Sequence, residues 1–395
     1  MGEQYKCENC GGIMEFDIAT QSLKCANCDT TIAIISDKKV EEHSLTKREL
    51  HTIKATEKHS STMECKGCGA KIEVDASCTA TQCPYCGASY VLAEKQMDAL
   101  IPDAILPFLI DKNKEGEIFR NWMKKRWLAP NELKHLYQQD RLQGVYMPYW
   151  TFDADADCQY TAMGGRDRQV SYTNSEGETE YRTETDWFFT SGRIQHKFDD
   201  VLEKASDKMK ESLLKAIEPY DTGRSTSYMS EYIAGYSAEC YTVDLEQAHE
   251  HAKDTMHSEL YGMASGEVLL RFDHVKNINL SIAYSGETYK HILLPVYSTA
   301  YDYKGKHYTV LLNGQTGEIK GDYPKSPIKI AAIVIAILIL LLGIFAVYNS
   351  GEDTDAAAQA EIGYVATETT VDRTLNNESR RTDVRWDFYQ DNFLM

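Results

Sequence analysis

Two small all-β ribbons, an α+β domain with an antiparallel sheet and one transmembrane helix are the fold class that this 395-residue sequence predicts. Three observations predict it: paired cysteines near the N-terminus, apolar residues at strand and helix spacing in the middle, and a long uncharged run near the C-terminus. The predicted boundaries are ribbon 1 at 1–35, a linker at 36–62, ribbon 2 at 63–93, the α+β domain at 100–325, the span at 330–348 and an acidic, disordered tail at 349–395.

Eight of the eleven cysteines form four CxxC pairs at a fixed spacing. Fourteen residues separate the two pairs within each ribbon, and adding 58 to each position of the first set gives the second set. Two thiolates three residues apart can face one ion across a tight turn, and two such turns complete a tetrahedral site. The predicted zinc ligands are Cys7, Cys10, Cys25 and Cys28 in ribbon 1 and Cys65, Cys68, Cys83 and Cys86 in ribbon 2.

The spacing predicts two structural zinc ions, one in each ribbon. Segments of about 30 residues cannot bury a sufficient core, so the metal must supply most of the folding energy. Four protein ligands leave no coordination position for a substrate, which argues against a catalytic metal. Disulfides and an iron site like that of rubredoxin are the alternatives, and the choice between zinc and iron stays open. The other cysteines, Cys78, Cys158 and Cys240, are interpreted as ordinary small residues.

The middle of the chain alternates between strand-like and helix-like patterns. Helices are predicted over 116–127, 131–138, 199–217 and 245–263, and a polar loop over 164–180. Strands are predicted over 144–162, 181–197, 267–274, 277–285, 291–303 and 307–312. Lys304-Gly305 and Asn313-Gly314 are hairpin turn signals.

The segment 330–348 carries no charge, and thirteen of its nineteen residues are Ile, Leu, Val or Phe. A helix of this length spans roughly 28 Å, which is close to the thickness of a bilayer core. Lys320, Lys325 and Lys329 precede it, whereas acidic residues follow it. Because lysines near a span stay cytoplasmic, we expect a single-pass protein of the cell membrane with a cytoplasmic N-terminus and an external tail. A secretory signal pattern is absent from the first residues.

Charge and motifs argue against several functions. The net charge is −18, and residues 1–100 carry eleven basic against fifteen acidic residues, which disfavours nucleic-acid binding. The sequence contains no phosphate loop, no HExxH and no GxSxG, so we predict a protein that is not an enzyme. Histidines of the linker (His43, His51, His59) and of the second long helix (His249, His251, His257) are interpreted as solvated.

The chain resembles bacterial TFIIB-type zinc-ribbon membrane proteins, often labelled as similar to the primosomal helicase. The resemblance rests on the two CxxC–x14–CxxC sets, the strands MPYW and LPVY, the run VLLNGQTGEIKGDYPKSPIK and the following span. Helicase activity is not carried over, because the phosphate loop is missing. The resemblance implies zinc at the eight cysteines and an envelope-stress setting with phage-shock-protein-A-like (PspA-like) and SPFH (flotillin-like) partners.

A membrane-anchored scaffold that recruits cytosolic proteins through its ribbons is therefore the expected function. Nucleic-acid binding at the membrane, related to replication or transcription, is the alternative, because many zinc ribbons bind nucleic acids. A third possibility is an enzyme or a transporter accessory whose site is hidden in the tyrosine-rich domain, which contains most of the 25 tyrosines.

Overall fold

A computed structural model gives the fold of the chain. It describes residues 5–36, 38–46, 60–64, 71–75, 80–82, 89–91, 101–131, 142–207, 209–239 and 241–361. The chain divides into two compact units, Met1–Ser326 and Pro327–Met395. The first unit is mostly β-sheet, and the second contains one long apolar helix.

The N-terminal region forms short antiparallel strands. They are β1 (Met14–Asp17), β2 (Ser22–Cys25), β3 (Thr31–Ala33), β4 (His43–Ser44), β5 (Ser60–Glu64), β6 (Lys71–Asp75), β7 (Ala80–Gln82) and β8 (Ser89–Val91). Strands β1, β2 and β3 form one sheet, while β5–β6 and β7–β8 form two hairpins. The segment between the two cysteine pairs of ribbon 1 thus forms the hairpin β1–β2, whereas the corresponding strands of ribbon 2, β6 and β7, pair with β5 and β8 respectively. Strand β4, in the predicted linker, pairs with the body at Thr288 and Tyr289.

The body that follows is built on one long, mainly antiparallel sheet, in which two short strands pair in parallel. Its strands are β9 (Ala104–Ile105), β10 (Gln143–Thr173), β11 (Thr179–Lys204), β12 (Thr226–Ser227), β13 (Ser237–Ala238), β14 (His274–Tyr303), β15 (Lys306–Asn313) and β16 (Ile319–Gly321). The main order is β11-β10-β14-β15-β16. Within the described residues, the α-helices are α1 (Lys112–Lys124), α2 (Glu211–Lys215), α3 (Leu245–Leu269) and α4 (Pro327–Glu361). The antiparallel sheet predicted from the sequence is confirmed.

The loop predicted over 164–180 is wrong, because β10 and β11 continue through most of it as a hairpin. Pairing runs from Gly164 opposite Phe188 to Thr173 opposite Thr179, and Gly177 in the turn has a φ of +82°. Both faces of this hairpin are largely exposed, so its strands need no apolar alternation and carry no strand pattern. Backbone hydrogen bonds to the partner strand hold them instead.

The long helix predicted over 199–217 is also wrong. Strand β11 runs to Lys204, which lies opposite Tyr149, and only Glu211–Lys215 is helical. The helical spacing of Leu202, Leu213 and Ile217 is real, but these residues pack on the sheet from strand, helix and turn in succession. Pairing with the distant strand β10 therefore decides the structure of 199–204, although the local sequence has helical periodicity.

The other helices differ from the prediction mainly at their ends. Helix α1 begins at Lys112 because Asp111 Oδ1 accepts hydrogen bonds from the backbone N–H groups of Asn113 and Lys114, both at 2.8 Å. Helix α3 is confirmed and runs six residues beyond its predicted end at 263, to Leu269, so the strand predicted over 267–274 begins only at His274. The helix predicted over 131–138 lies outside the described residues, apart from Asn131.

The largest core cluster lies between α3 and strands β10, β11 and β14. Helix α3 presents a buried stripe of Leu245, Ala248, Ala252, Met256, Leu260, Ala264 and Val268. Its three alanines let the helix approach the sheet closely. Trp150 at the centre is fully buried, its Nε1 donates to the Val243 carbonyl at 3.2 Å, and its ring contacts Tyr241 and Tyr289. This cluster holds helix α3 against strands β10, β11 and β14.

Replacing Trp150 with Ala is expected to lower the free energy of unfolding of the body by about 3–5 kcal/mol, because it leaves a large cavity in this cluster. Chemical denaturation followed by far-UV circular dichroism measures the change. Trp127→Ala is the matched control, because the Trp127 side chain is 60% exposed, and its effect should stay within about 0.5 kcal/mol. Equal losses in the two variants would contradict the central position of Trp150.

The second unit contains helix α4, which includes the segment 330–348 predicted to span a membrane. Residues Pro327–Phe345 are long and apolar enough to cross a bilayer, and no residue of this stretch is buried within the protein. A helix that is apolar on all sides and unburied differs from a core helix, which packs against its own chain. The helix continues to Glu361, beyond the predicted end of the span, and residues 362–395 lie outside the described part.

Candidate metal centre

The first four cysteines lie on two similar turns of ribbon 1. Cys7 and Cys10 precede β1, and Cys25 and Cys28 join β2 to β3. The fourth residue after the first cysteine of each pair donates its N–H to that cysteine's carbonyl: Gly11 to Cys7 at 2.8 Å and Asp29 to Cys25 at 3.0 Å. Both donors have positive φ, +72° and +57°. These are the left-handed positions at which glycine and aspartate are tolerated, and they turn each pair of thiols toward a common point.

The four sulfur atoms are arranged as a tetrahedral metal requires. Their mutual distances are 3.4–3.9 Å, including 3.5 Å between Cys7 and Cys28 and between Cys10 and Cys25. A tetrahedron with Zn–S bonds of roughly 2.3 Å has sulfur atoms roughly 3.8 Å apart. Cys7 and Cys25 are buried, Cys28 is half-buried and Cys10 is exposed. The donor set therefore fits one zinc or iron ion near the surface of the ribbon.

Local hydrogen bonds favour the thiolate form at part of this centre. The Thr30 hydroxyl lies 3.1 Å from the Cys28 Sγ, and together with the Thr30 backbone N–H it lowers the pKa of Cys28 to about 6. A backbone N–H of Cys10 lowers the pKa of Cys7 below its usual value. At Cys10 the Gly12 backbone N–H lowers the pKa, but the thiols of Cys28 and Cys25 outweigh it and raise this pKa to about 12. Thiolates are the form that binds metal, so Cys7 and Cys28 favour ligation before an ion adds its own charge, whereas Cys10 does not.

The second set of predicted ligands, Cys65, Cys68, Cys83 and Cys86, lies outside the described residues, as do Cys78, Cys240, His51 and His59. The strands around this set still repeat ribbon 1. The bridge between Lys6 and Ile13 recurs 58 residues later as the pair Glu64–Lys71, and β3 recurs at the same offset as β8. The repeat at this offset therefore extends to part of the backbone pairing, while the β1–β2 pairing has no counterpart among the described pairs of ribbon 2.

Two histidines predicted to be solvated have partners in the body. His249 is buried and lies 2.7 Å from Glu287, whose pKa it lowers, and its ring contacts Phe152. His43 lies 2.8 Å from Asp103. The solvated interpretation is wrong for His249. The sequence already indicated that His249 is buried, because position 249 is four residues after Leu245 and thus borders the buried stripe of α3.

Three acidic residues outside the cysteine cluster, Glu42, Asp153 and Asp200, also lie close enough together to hold an ion. Lys290 already occupies its centre: the lysine is almost fully buried, pairs with Asp200 and lies 3.1 Å from Glu42. A cation site is therefore not required there. Cys158 is buried in the core between β10 and α3, and burial raises the pKa of its thiol, which fits the predicted role of an ordinary small residue.

Comparison with known proteins gives one informative relative. The uncharacterized protein YdjG of Bacillus subtilis (strain 168) is 32% identical to this chain over 336 residues, covering 83% of this chain and 92% of that protein. No family model matches the sequence. No solved structure matches it either.

Proposed function

The chain belongs to the same family as YdjG of Bacillus subtilis, and on this premise we propose that it is a membrane-anchored scaffold. In this proposal the N-terminal ribbons hold two structural zinc ions and recruit cytosolic protein partners to the membrane. The observation that carries it is the closed four-cysteine centre of ribbon 1 in a chain whose described part contains one unburied apolar helix. Four thiolate ligands stabilise the folded ribbon and its surface, and they leave no open coordination position on the metal for a substrate.

The proposal places the body in the cytoplasm and anchors it through helix α4. Lys320, Lys325 and Lys329 before the helix favour this orientation by the positive-inside rule. The cysteines support it independently, because free thiols that bind metal persist in a reducing compartment. The tail would then lie outside the cell.

The proposed partners are proteins of the envelope-stress machinery, of the PspA-like or SPFH type. The groups of ribbon 1 that these partners would contact are its exposed isoleucines: Ile13, Ile32 and Ile35 are 49%, 42% and 72% exposed. Each keeps apolar area in water that a bound protein would bury. The acidic composition of the N-terminal region argues for a protein rather than a nucleic acid as the partner.

Substituting all three exposed isoleucines with serine is expected to release a recruited partner from the membrane while the metal stays bound. The change removes apolar contact area and touches no cysteine. Membrane fractions of cells that carry a fluorescent PspA-like protein measure recruitment, and zinc analysis confirms that the ribbon is intact.

The matched control replaces Ile101 and Leu270, which are 47% and 86% exposed on the body, with serine. Recruitment should persist in this control. Unchanged recruitment in the ribbon variant would reject the ribbon as the docking surface, and loss in both variants would indicate a general effect of exposed apolar residues.

A further inference from the structure

We propose that ribbon 1 is a metal-dependent latch on the body. With its ion bound, the ribbon holds the segment 230–236, here called the ribbon seat, against the body sheet, and loss of the ion releases this segment. The latch consists of contacts within one chain and does not require a bound partner protein. It rests on contacts between the ribbon and the body that the cysteine pattern does not reveal.

Phe16 of β1 is the main point of attachment. Its side chain is 5% exposed although it belongs to a ribbon too small to bury it alone. The ring contacts Tyr232 edge-on at 5.3 Å between centroids and Tyr236 at 6.5 Å, and the Phe16 N–H donates to the Ala234 carbonyl at 2.9 Å. Phe16 is thus part of a body cluster, while its strand is part of the ribbon.

The seat also shares a buried cluster with two of the metal ligands. Ala234 belongs to this cluster together with Cys7, Cys25, Met14 and Leu23. The body residue Ala234 and the ligands Cys7 and Cys25 are therefore parts of one packed unit, and unfolding of the ribbon removes most of that unit.

Three further contacts join the ribbon to the body. Gly235, with a φ of +88°, leaves room for Glu15, whose side chain would lie about 3.0 Å from any Cβ at that position. The Tyr5 hydroxyl lies 2.5 Å from the Ser230 hydroxyl. Gln21 Nε2 donates to the Phe108 carbonyl at 3.0 Å.

Beyond the ribbon, the seat is tied to the body core through aromatic rings. Tyr236 stacks on Phe108 with ring centroids 4.5 Å apart, and Phe108 contacts Tyr146 and Tyr297 in the sheet. Immediately after the seat, β13 pairs with Val145 and Tyr146 of β10. A packed chain of contacts therefore leads from the metal ligands to the central strand of the body.

The backbone of the seat is weakly organised by itself. It is a single 3₁₀ turn, Ser230–Ile233, followed by a bend, and its internal hydrogen bonds span three residues, such as Tyr236 N–H to Ile233 O at 3.0 Å. Such turns have poorer hydrogen-bond geometry than α-helices and depend on the residues packed on them. Ribbon 1 cannot stay folded without its ion. Loss of the metal therefore breaks the contacts that Phe16, Gln21 and Tyr5 make with the body.

Amide hydrogen exchange of the full chain in detergent micelles tests the latch. In Cys10→Ser, which removes the exposed ligand and leaves the residues that contact Ala234 unchanged, we expect the ion to be lost and exchange of peptides over 228–238 to accelerate about tenfold or more. Peptides over 146–152 in the centre of β10 should exchange as slowly as in the unmodified protein. Zinc content is measured on the same samples.

Phe16→Ala separates latching from metal binding. This variant keeps all four cysteines, so it should retain zinc and still show faster exchange over 228–238. Ile13→Ala is its matched control, because Ile13 precedes the same strand and is exposed, and it should change neither quantity. Slow exchange over 228–238 in zinc-free Cys10→Ser would overturn the proposal, and so would a uniform acceleration that includes 146–152.

Discussion

Replacing Cys7 and Cys10 with serine is expected to abolish metal binding by ribbon 1 and to unfold it. Serine is not ionised at neutral pH and is a poor zinc ligand, and two remaining thiolates do not complete a tetrahedral site. Structural zinc contributes on the order of 10–16 kcal/mol of apparent binding free energy in zinc-finger peptides, which exceeds what a ribbon of about 30 residues gains from its core. Zinc content per chain should fall by about half, since ribbon 2 keeps its four cysteines.

Metal analysis and limited proteolysis of the purified full chain measure this outcome. New cleavage should appear within 5–34, where the ribbon strands lie. Cys158→Ala is the matched control, because Cys158 is buried in the body core, away from the four-cysteine cluster. It should retain all zinc. A Cys7/Cys10 variant with full zinc content would show that these residues are not ligands.

Replacing Leu338 and Leu341 with arginine is expected to abolish membrane integration. Thirteen strongly apolar residues in 330–348 favour insertion by about −4 to −8 kcal/mol in total, at −0.3 to −0.6 kcal/mol each. Two arginines near the helix centre cost about 5–7 kcal/mol and also remove two favourable leucines. With the two lost leucines counted, the sum at mid-range is about +1 kcal/mol against insertion, so most of the protein should move to the soluble or aggregated fraction.

Extraction of membranes with alkaline carbonate measures this prediction. Leu338→Ile with Leu341→Ile is the matched control, because it preserves apolarity and should remain in the membrane pellet. If the double-arginine variant also stays in the carbonate-resistant pellet, helix α4 is not the anchor. Attachment would then have to come from another part of the chain.

Much of the ribbon could be predicted from the sequence because metal geometry leaves few options. Four thiols at CxxC–x14–CxxC spacing must form two turns facing one point, and the structure brings Cys7, Cys10, Cys25 and Cys28 together accordingly. The apolar helix was equally predictable, since nineteen consecutive uncharged and mostly apolar residues are typical of a helix long enough to cross a bilayer. Helix α3 carried a regular buried stripe, and it is present as expected.

The strands of the body were harder to predict, because pairing between residues far apart in the sequence decides where these strands begin and end. The exposed hairpin at 164–180 forms through backbone bonds that leave no side-chain pattern, and residues 199–204 continue a strand because Tyr149 and Trp150 lie opposite them. The attachment of ribbon 1 was invisible for a similar reason. Phe16 contacts Tyr232 and Tyr236, which follow it by more than 200 residues in the sequence, and no local pattern links positions so far apart.

This attachment changes how the ribbons should be tested. Deleting residues 1–98 would remove a docking surface, but it would also uncover Tyr232 and Tyr236 on the body. A lost partner could then reflect damage to the body. Substitutions of exposed ribbon residues such as Ile13 and Ile35 avoid this ambiguity, because they leave Phe16 and the cysteines unchanged.

X-ray absorption at the metal edge of the purified full-length protein tests the central claim most directly, because it reports both the metal and its ligands. The account predicts zinc, one ion for each four-cysteine set, surrounded by four sulfur atoms at roughly 2.3 Å. Iron as the bound metal, nitrogen or oxygen atoms in the coordination shell, or a chain purified without metal would contradict it.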